Sequence, residues 1–446
     1  MNKHITNPSS SYDKIHNNNN NIKNDQINSI KNNNNYYYLK GGLPPLLIWL
    51  LLVISIFTLF LIYHPNPFLF SSPNDHYVPH ETPIFIQPHI HSVDDEKCEL
   101  YKGKWVPNLE ETQYTAKSCK TIPDSKDCFK NGRKDVDFLN WKWKPNECEL
   151  PSFNPKKFLE IVSGKIMGFI GDSVARNHMD SLLCLLSQAE IPTDVYKDSE
   201  DRFRTWHFPS SNFTLMIFWS KFLVQSEERM FNNSGTGSFD LHLDKVDEKW
   251  ASNLPKLDYV IISTAHWFFR QNYLYKHGKL TGCVYCNEPN VPEVSLNQAL
   301  RMSIRGALKH INNCKNCKKG MLILVRTFSP AHFENGAWDT GGSCNRTSPY
   351  TEINSKEKSF ELELGELQVK EVKRARKEGE PNGKKFRVLD VTRAMLMRAD
   401  GHPGEYWGNK WMKGYNDCVH WCLPGPIDAW NDFLLAVMEK EARFSQ

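Results

Sequence analysis

The chain has 446 residues, with 55 basic and 51 acidic side chains and a formal net charge of +4. So weak a net charge gives no argument for a nucleic-acid partner, and we expect none. The 13 tryptophans would suit stacking on sugars, although most tryptophans fill protein cores. The length allows either two average domains or one large α/β domain with tails.

Two segments at the amino terminus differ sharply in composition. Residues 1–42 are rich in asparagine and poor in apolar side chains, which predicts a disordered tail. Residues 43–63 carry no charge and are long enough to span the hydrocarbon of a bilayer. A cleaved signal peptide is the alternative, but the apolar run is too long and no small-residue cleavage site follows it. We therefore predict a transmembrane anchor.

Lysines set the predicted orientation of this anchor. Basic residues precede it at Lys3, Lys14, Lys23, Lys31 and Lys40. Between the span and the next domain, histidines aside, Lys97 is the one basic residue. The positive-inside rule then places the tail in the cytosol and the remaining chain in a lumen. This is the topology of a single-pass type II membrane protein.

All 12 cysteines lie beyond the span, as expected for an oxidising compartment. Sequons at Asn212, Asn232 and Asn345 predict glycosylation there. We interpret the proline- and histidine-rich residues 64–97 as a lumenal stem. Residues 98–150 contain four cysteines and many aromatic side chains with little regular pattern, which indicates a disulfide-stapled, loop-rich start to the lumenal domain.

Residues 151–446 alternate between apolar strands and helices. The predicted strands are 165–170, 213–219, 257–263, 320–325 and 385–391, and the predicted helices are roughly 176–188, 295–312, 356–378 and 427–442. Near-continuous apolar strands separated by helices indicate a parallel sheet covered on both faces, a three-layer α/β/α domain. In such sheets the functional site lies at the carboxyl ends of the strands.

A serine stands where the first of these strands passes into a helix, in Gly171-Asp172-Ser173. A serine hydroxyl becomes nucleophilic when a base takes its proton. At such a turn the first N–H groups of the helix point toward any oxyanion that develops. The competing interpretation is a helix N-cap, because serine and aspartate both favour that position.

Asp417 and His420, three residues apart near the carboxyl end of the chain, are the candidate base and its partner. On a tight turn the aspartate can hydrogen-bond the histidine and set its tautomer. Cys418 and Cys422 bracket the histidine, so a disulfide would tie this loop to another part of the chain. The alternative is an ordinary loop in which Asp417 caps the helix near Pro426.

These motifs resemble the SGNH/GDSL ester-hydrolase superfamily. More specifically, the lumenal part resembles the plant trichome-birefringence-like polysaccharide O-acetyltransferases in its cysteine-rich segment 98–150 and in residues 171–186, 326–347 and 417–434. The resemblance implies that Ser173 is the nucleophile, His420 the general base and Asp417 its orienter. It also implies a set of oxyanion or substrate contacts at Gly171, Asp172, Arg176, Asn177, His266 and Trp267, with the Ser173 N–H as first oxyanion donor. Ser263 and Ala265 depart from the Asn and Gly common in the family's Asn-Thr-Gly-His-Trp-Trp block.

Within this resemblance we expect four disulfides, Cys98–Cys148, Cys119–Cys184, Cys128–Cys422 and Cys344–Cys418, although spacing alone allows other pairings. Two Cys-x-x-Cys pairs, Cys283 with Cys286 and Cys314 with Cys317, have spacing that could build a four-thiolate zinc site. Disulfides are commoner in an oxidising lumen. We therefore expect two further bridges and no metal.

The resemblance implies an O-acetyltransferase of the Golgi membrane that acts through an acetyl-serine on hydroxyls of a cell-wall hemicellulose. The His-Trp-Phe-Phe-Arg variant at 266–270 favours xyloglucan, with mannan or xylan as other acceptors. No bound cofactor is expected. An acetyl donor is the co-substrate, and another membrane protein could supply it. The alternatives are a secretory-pathway carbohydrate esterase with the same triad and a non-catalytic wall-polymer-binding protein that uses residues 98–150.

Overall fold

A computed structural model describes residues 98–353, 358–408 and 414–443, together with Trp49. The described residues from Cys98 onward all belong to one compact unit. None of the helices in these described ranges is long and apolar enough to cross a membrane. The predicted anchor, 43–63, lies outside the described residues except for Trp49, and so do the predicted tail and stem.

The elements are numbered along the chain. The strands are β1 (Gly103–Pro107), β2 (Trp141–Pro145), β3 (Ile166–Gly171), β4 (Thr193–Lys197), β5 (Phe203–Phe208), β6 (Phe213–Trp219), β7 (Val224–Phe231), β8 (Ser234–Val246), β9 (Tyr259–Ser263), β10 (Asn272–Lys276), β11 (Lys279–Val284), β12 (Leu322–Arg326) and β13 (Lys385–Leu389). The helices are α1 (Pro155–Ile161), α2 (Ser173–Leu186), α3 (Glu248–Ala251), α4 (Leu296–Asn313), α5 (Ser359–Gly379), α6 (Thr392–Leu396) and α7 (Ala429–Arg443).

The central sheet has seven strands in the order β13-β12-β9-β3-β6-β5-β4. The five strands predicted from apolar runs are its parallel members, β13 through β6. The prediction of an all-parallel sheet is wrong at one edge, where β5 and β4 pair antiparallel. Every side chain of β4 is exposed, so this strand carries no apolar run and needs no covering helix.

Helices cover both faces of this sheet and create the α/β/α layering. Along β9, Ile261 faces one core, whereas Val260 and Ile262 face the other, as the two-residue period of a strand requires. The first core contains buried side chains of α2 and α7, and the second contains those of α4 and α5. The central strand β3 is thereby buried on both faces, and this packing holds its carboxyl end in place.

A second sheet, in the order β11-β10-β8-β7, was not predicted. Its longest hairpin, β7–β8, turns at Asn232 and Asn233, which both have positive φ, as a two-residue hairpin loop requires. The β7 sequence VQSEERMF is mostly polar, and Val224 is its one fully buried side chain. It lacks the apolar run that identified the strands of the central sheet.

Residues 98–150 contribute one antiparallel ribbon, in which Trp105 faces Trp143 across β1 and β2. Both indoles belong to the same core as α7. The Trp105 Nε1–H also donates to the carbonyl of Ala394 at 2.8 Å. The segment therefore packs on the α/β part of the chain rather than standing apart from it.

Candidate active site

At the turn between β3 and α2, one residue caps the helix and the next is the candidate nucleophile. Asp172 is the N-cap of α2, because its Oδ1 accepts the N–H groups of Val174 at 3.0 Å and Ala175 at 3.4 Å. Ser173 is the first helical residue. Its hydroxyl is therefore not occupied in capping, and its N–H is one of those left without an acceptor inside the helix.

Gly171 is needed where β3 meets β9. A Cβ on this residue would lie 1.8 Å from the carbonyl oxygen of Ser263. The glycine has a φ of 155°, which residues other than glycine rarely adopt. Close approach of two backbones, rather than contact with substrate, is what the structure assigns to this position.

Asp172 also connects the turn to the loop after β9. Its Oδ2 accepts the Ala265 N–H at 3.4 Å and lies 3.9 Å from His266 Nδ1. Burial acts to raise the pKa of Asp172, but the nearby His266 and the buried Arg326 outweigh it and hold that pKa below its usual range. The N-cap is thus an anion, which also suits the positive end of the α2 dipole.

Asp417 and His420 form a closed hydrogen-bonded pair. The His420 Nδ1–H donates to Asp417 Oδ2 at 2.8 Å, while Oδ1 accepts the backbone N–H groups of Val419 and His420 at 3.1 and 3.0 Å. The alternative in which Asp417 caps the next helix is wrong, since its oxygens are used within this turn. Because the Nδ1 proton is held by the carboxylate, Nε2 carries the lone pair of a neutral ring.

Two pKa shifts describe the same pair. Burial acts to raise the pKa of Asp417, but His420 and Lys126 outweigh it, and the pKa is held well below the usual range. Burial is the largest cause of the lowered pKa of His420, which the negative charge of Asp417 opposes. The histidine is therefore neutral, and able to act as a base, below the pH at which an ordinary imidazole becomes protonated.

Asn177 joins the serine helix to the histidine loop. It lies one turn after Ser173, its Oδ1 accepts the Trp421 N–H at 2.7 Å, and its Nδ2 donates to the Trp421 carbonyl at 3.3 Å. Ser173 and His420 are thus brought to the same end of the sheet. His420 Nε2 is buried and has no hydrogen-bond partner among the described residues. Catalytic hydrogen bonds are often long or poorly aligned in unliganded enzymes and form only when substrate is bound.

Of the two predicted oxyanion contacts on α2, neither side chain is free for that role. Asn177 is committed to Trp421, as above. The Arg176 guanidinium donates to the carbonyl of Asp201 and, at 2.8 Å, to its carboxylate. The structure thus makes Asn177 a link to the histidine loop and Arg176 a largely buried partner of Asp201. The Ser173 N–H is the member of the predicted set that these contacts do not use.

The second predicted block follows β9 directly. His266 and Trp267 lie on a 3-10 turn, His266–Phe268. The His266 Nε2 is buried and has no hydrogen-bond partner within the described ranges. The Trp267 ring is half-buried beneath the charged ends of Lys221 and Arg270, which lie 4.1 and 4.2 Å from its centroid. The departure at Ser263 has a local consequence, because its hydroxyl accepts from the buried Arg326.

Cystines hold the histidine loop from two sides. Cys128 is bridged to Cys422 and Cys344 to Cys418. The other bridges are Cys98–Cys148, Cys119–Cys184, Cys283–Cys286 and Cys314–Cys317. The first four are the pairs expected from the sequence. Each Cys-x-x-Cys pair closes on itself, so the two pairs do not meet as a zinc site.

The predicted glycosylation sites are accessible. Asn212, Asn232 and Asn345 are all exposed and lie in turns or loops. Of the aromatic side chains in the loops near the site, Phe268 and Trp407 are buried, whereas Trp267 and Trp338 are half-buried.

One contact to this site had no signal in the sequence. Lys126, from the cysteine-rich segment, places Nζ 3.4 Å from Asp417 Oδ2. The two residues are 291 positions apart. The nearest pointer was Cys128, which the resemblance paired with Cys422.

These features define an acyl-transfer site: a serine at a strand-to-helix turn, a tautomer-fixed histidine and a helix start that can accept an oxyanion. Residues 150–437 match the GDSL/SGNH-like acyl-esterase family found in Pmr5 and Cas1p, and residues 96–149 match the Pmr5 amino-terminal domain. The chain belongs to this family.

The chain is also similar to curated plant proteins over most of its length. The chain is 58% identical over 386 residues to xyloglucan O-acetyltransferase 4 of Populus trichocarpa, covering 86% of this chain and 90% of that protein. It is 54% identical over 385 residues to xyloglucan O-acetyltransferase 2 of Arabidopsis thaliana, covering 86% and 90%. It is 42% identical over 388 residues to trichome birefringence-like protein 19 of Arabidopsis thaliana, covering 85% and 89%.

Proposed function

We propose that this protein is a xyloglucan O-acetyltransferase that works through an acetyl-serine intermediate. The observation that carries the proposal is the Asp417–His420 pair clamped by Asn177 to the helix that begins at Ser173. Relatives named for xyloglucan acetylation, at 58% and 54% identity, supply the acceptor.

The first half-reaction makes the intermediate. His420 Nε2 takes the Ser173 hydroxyl proton as Oγ attacks the carbonyl carbon of the acetyl donor, and the Ser173 N–H stabilises the oxyanion. Collapse expels the donor's leaving group, to which His420 returns the proton. Asp417 keeps the imidazolium in place throughout.

The second half-reaction transfers the acetyl group. A xyloglucan hydroxyl enters, His420 takes its proton, and the hydroxyl oxygen attacks the acetyl carbon of the acetyl-serine to form a second oxyanion. Collapse of this intermediate breaks the bond to Ser173 Oγ, which takes the proton back from His420, and the acetylated sugar leaves. Water in place of that hydroxyl would give an esterase. Positioning of the sugar and exclusion of water decide between the two.

We place the enzyme in the Golgi membrane as a single-pass type II protein with the catalytic part in the lumen. The uncharged stretch 43–63, the lysines before it and the use of all 12 cysteines beyond it support this. The acetyl donor is a co-substrate, and we propose that a second membrane protein supplies it on the lumenal side.

Mass spectrometry of the full-length protein in detergent tests the proposal. Wild type and Ser173→Ala would each receive an acetyl donor with xyloglucan, glucomannan or xylan oligosaccharides. We expect xyloglucan to gain the mass of one acetyl group with wild type alone. Loss of acetyl from pre-acetylated oligosaccharide, without transfer, would instead establish an esterase. Wild-type function of Ser173→Ala in cells would identify a binding protein.

A further inference from the structure

Lys126 reaches the candidate active site from outside the α/β domain. It ends a short 3-10 turn, Asp124–Lys126, two residues before the cystine Cys128–Cys422. Its side chain is 11% exposed, and its backbone carbonyl accepts the Leu423 N–H at 2.9 Å. Both ends of this residue therefore contact the loop that carries His420.

A buried ammonium group requires a compensating partner, because desolvation disfavours its charge. Among the described residues, the carboxylate that pairs with Lys126 Nζ is that of Asp417. The acceptor atom is Oδ2, the same oxygen that accepts the His420 Nδ1–H. The pair is thus part of the acid–histidine unit and not a separate surface salt bridge.

We propose that Lys126 is a further positioning residue of the acetyl-transfer site, whose ammonium group holds the Asp417 carboxylate against the His420 ring. The inference rests on the proposed roles of Ser173 and His420. The cysteine-rich segment thereby takes part in the reaction, because it places the Lys126 charge beside Asp417. The Cys128–Cys422 disulfide holds the segment at this position.

The charge has a second consequence for His420. The charged or titratable groups around this histidine are Asp417, Lys126, His266 and His402, whose Nδ1–H donates to the His420 carbonyl at 2.6 Å. Asp417 favours the imidazolium, and Lys126 opposes it. Without the lysine charge the pKa of His420 rises, so the base is protonated, and inactive, at a higher pH.

The test uses the full-length protein and a fluorophosphonate probe, which reports the reactivity of Ser173 without donor or polysaccharide. The labelling rate would be measured from pH 5 to pH 8 for Lys126→Met, Lys126→Gln and Lys126→Arg. Methionine removes charge and donor, glutamine removes charge alone, and arginine keeps both. Lys130→Met is the matched control, since Lys130 lies four positions on, with a 59% exposed side chain paired to Asp124.

We expect Lys126→Met to label about 10-fold more slowly at pH 8, with its acid limb moved upward by roughly half a unit to one unit. Lys126→Gln should keep most of the rate at pH 8 but lose about 3- to 10-fold at pH 5. Lys126→Arg and Lys130→Met should follow wild type within about 2-fold. A structural role alone would not move the acid limb.

Two results would overturn the proposal: wild-type rates for Lys126→Met at both ends of the range, or Lys126→Arg as slow as Lys126→Met. If Lys126→Met does not fold, the comparison of glutamine with arginine decides, because equal pH profiles for these two contradict a role for the charge. A wild-type protein that the probe does not label at Ser173 would instead refute the proposed triad.

Discussion

The two halves of the site are held in different ways. Ser173 is positioned by continuous secondary structure, since a buried central strand leads directly into a 14-residue helix. His420 lies in a loop, and contacts from remote parts of the chain hold it: two cystines, Asn177 and Lys126. Backbone packing therefore orients the nucleophile, whereas cross-links orient the base. Perturbing each kind of support should produce different defects.

The largest effect is expected from Asp417, the carboxylate in the loop that carries His420. Asp417→Asn leaves an amide that cannot stabilise the imidazolium and can hold the wrong His420 tautomer. We expect transfer to fall about 10³- to 10⁴-fold, as for an equivalent change in a serine-protease triad. Steady-state kinetics on acetyl transfer would measure this. Near-native circular dichroism with a small rate change would contradict the pairing.

The next prediction compares a disulfide between remote parts of the chain with a local one. Replacing Cys128 and Cys422 by alanine removes a bridge that closes 294 residues, whereas Cys314 and Cys317 close three. Loop-closure entropy predicts a loss of roughly 5 kcal/mol of unfolding free energy for the first pair and much less for the second. Denaturant titration measures both. Similar losses would show that the long bridge does not anchor the loop.

Gly171→Ala tests the nucleophile half. The new Cβ would meet the Ser263 carbonyl at 1.8 Å, so β3 and β9 must separate. We expect a loss of about 2–3 kcal/mol in stability, with a displaced Ser173 and slower labelling. Gly164→Ala is the control, because Gly164 also has positive φ but open space around it. Equal Tm shifts for the two would leave backbone strain, and not crowding, as the cause.

The same division explains what sequence could predict. The five parallel strands and the Gly171-Asp172-Ser173 turn have local signatures, namely apolar runs and a helix start, so pattern alone located them. Asp417 and His420 are three residues apart and were found as a pair. The second sheet was missed because polar strands such as β7 show no such run. Lys126 was missed because a contact across 291 positions leaves no local pattern.

The smallest effects are expected from Arg176 and Asn177, two neighbours on α2 for which the resemblance implied the same oxyanion or substrate role. Asn177→Ala leaves the buried N–H and carbonyl of Trp421 unpaired, which costs about 1–3 kcal/mol, and we expect transfer to fall roughly 10-fold as His420 loosens. Arg176→Ala removes the pairing with Asp201 and Asp180 but leaves the Asn177–Trp421 contacts in place, so the rate should change by less than about 2-fold. kcat and Tm of both variants decide the matter. If Arg176→Ala were the slower enzyme at unchanged Tm, Arg176 would be the oxyanion donor. Its guanidinium would then have to leave Asp201 before it could bind the oxyanion.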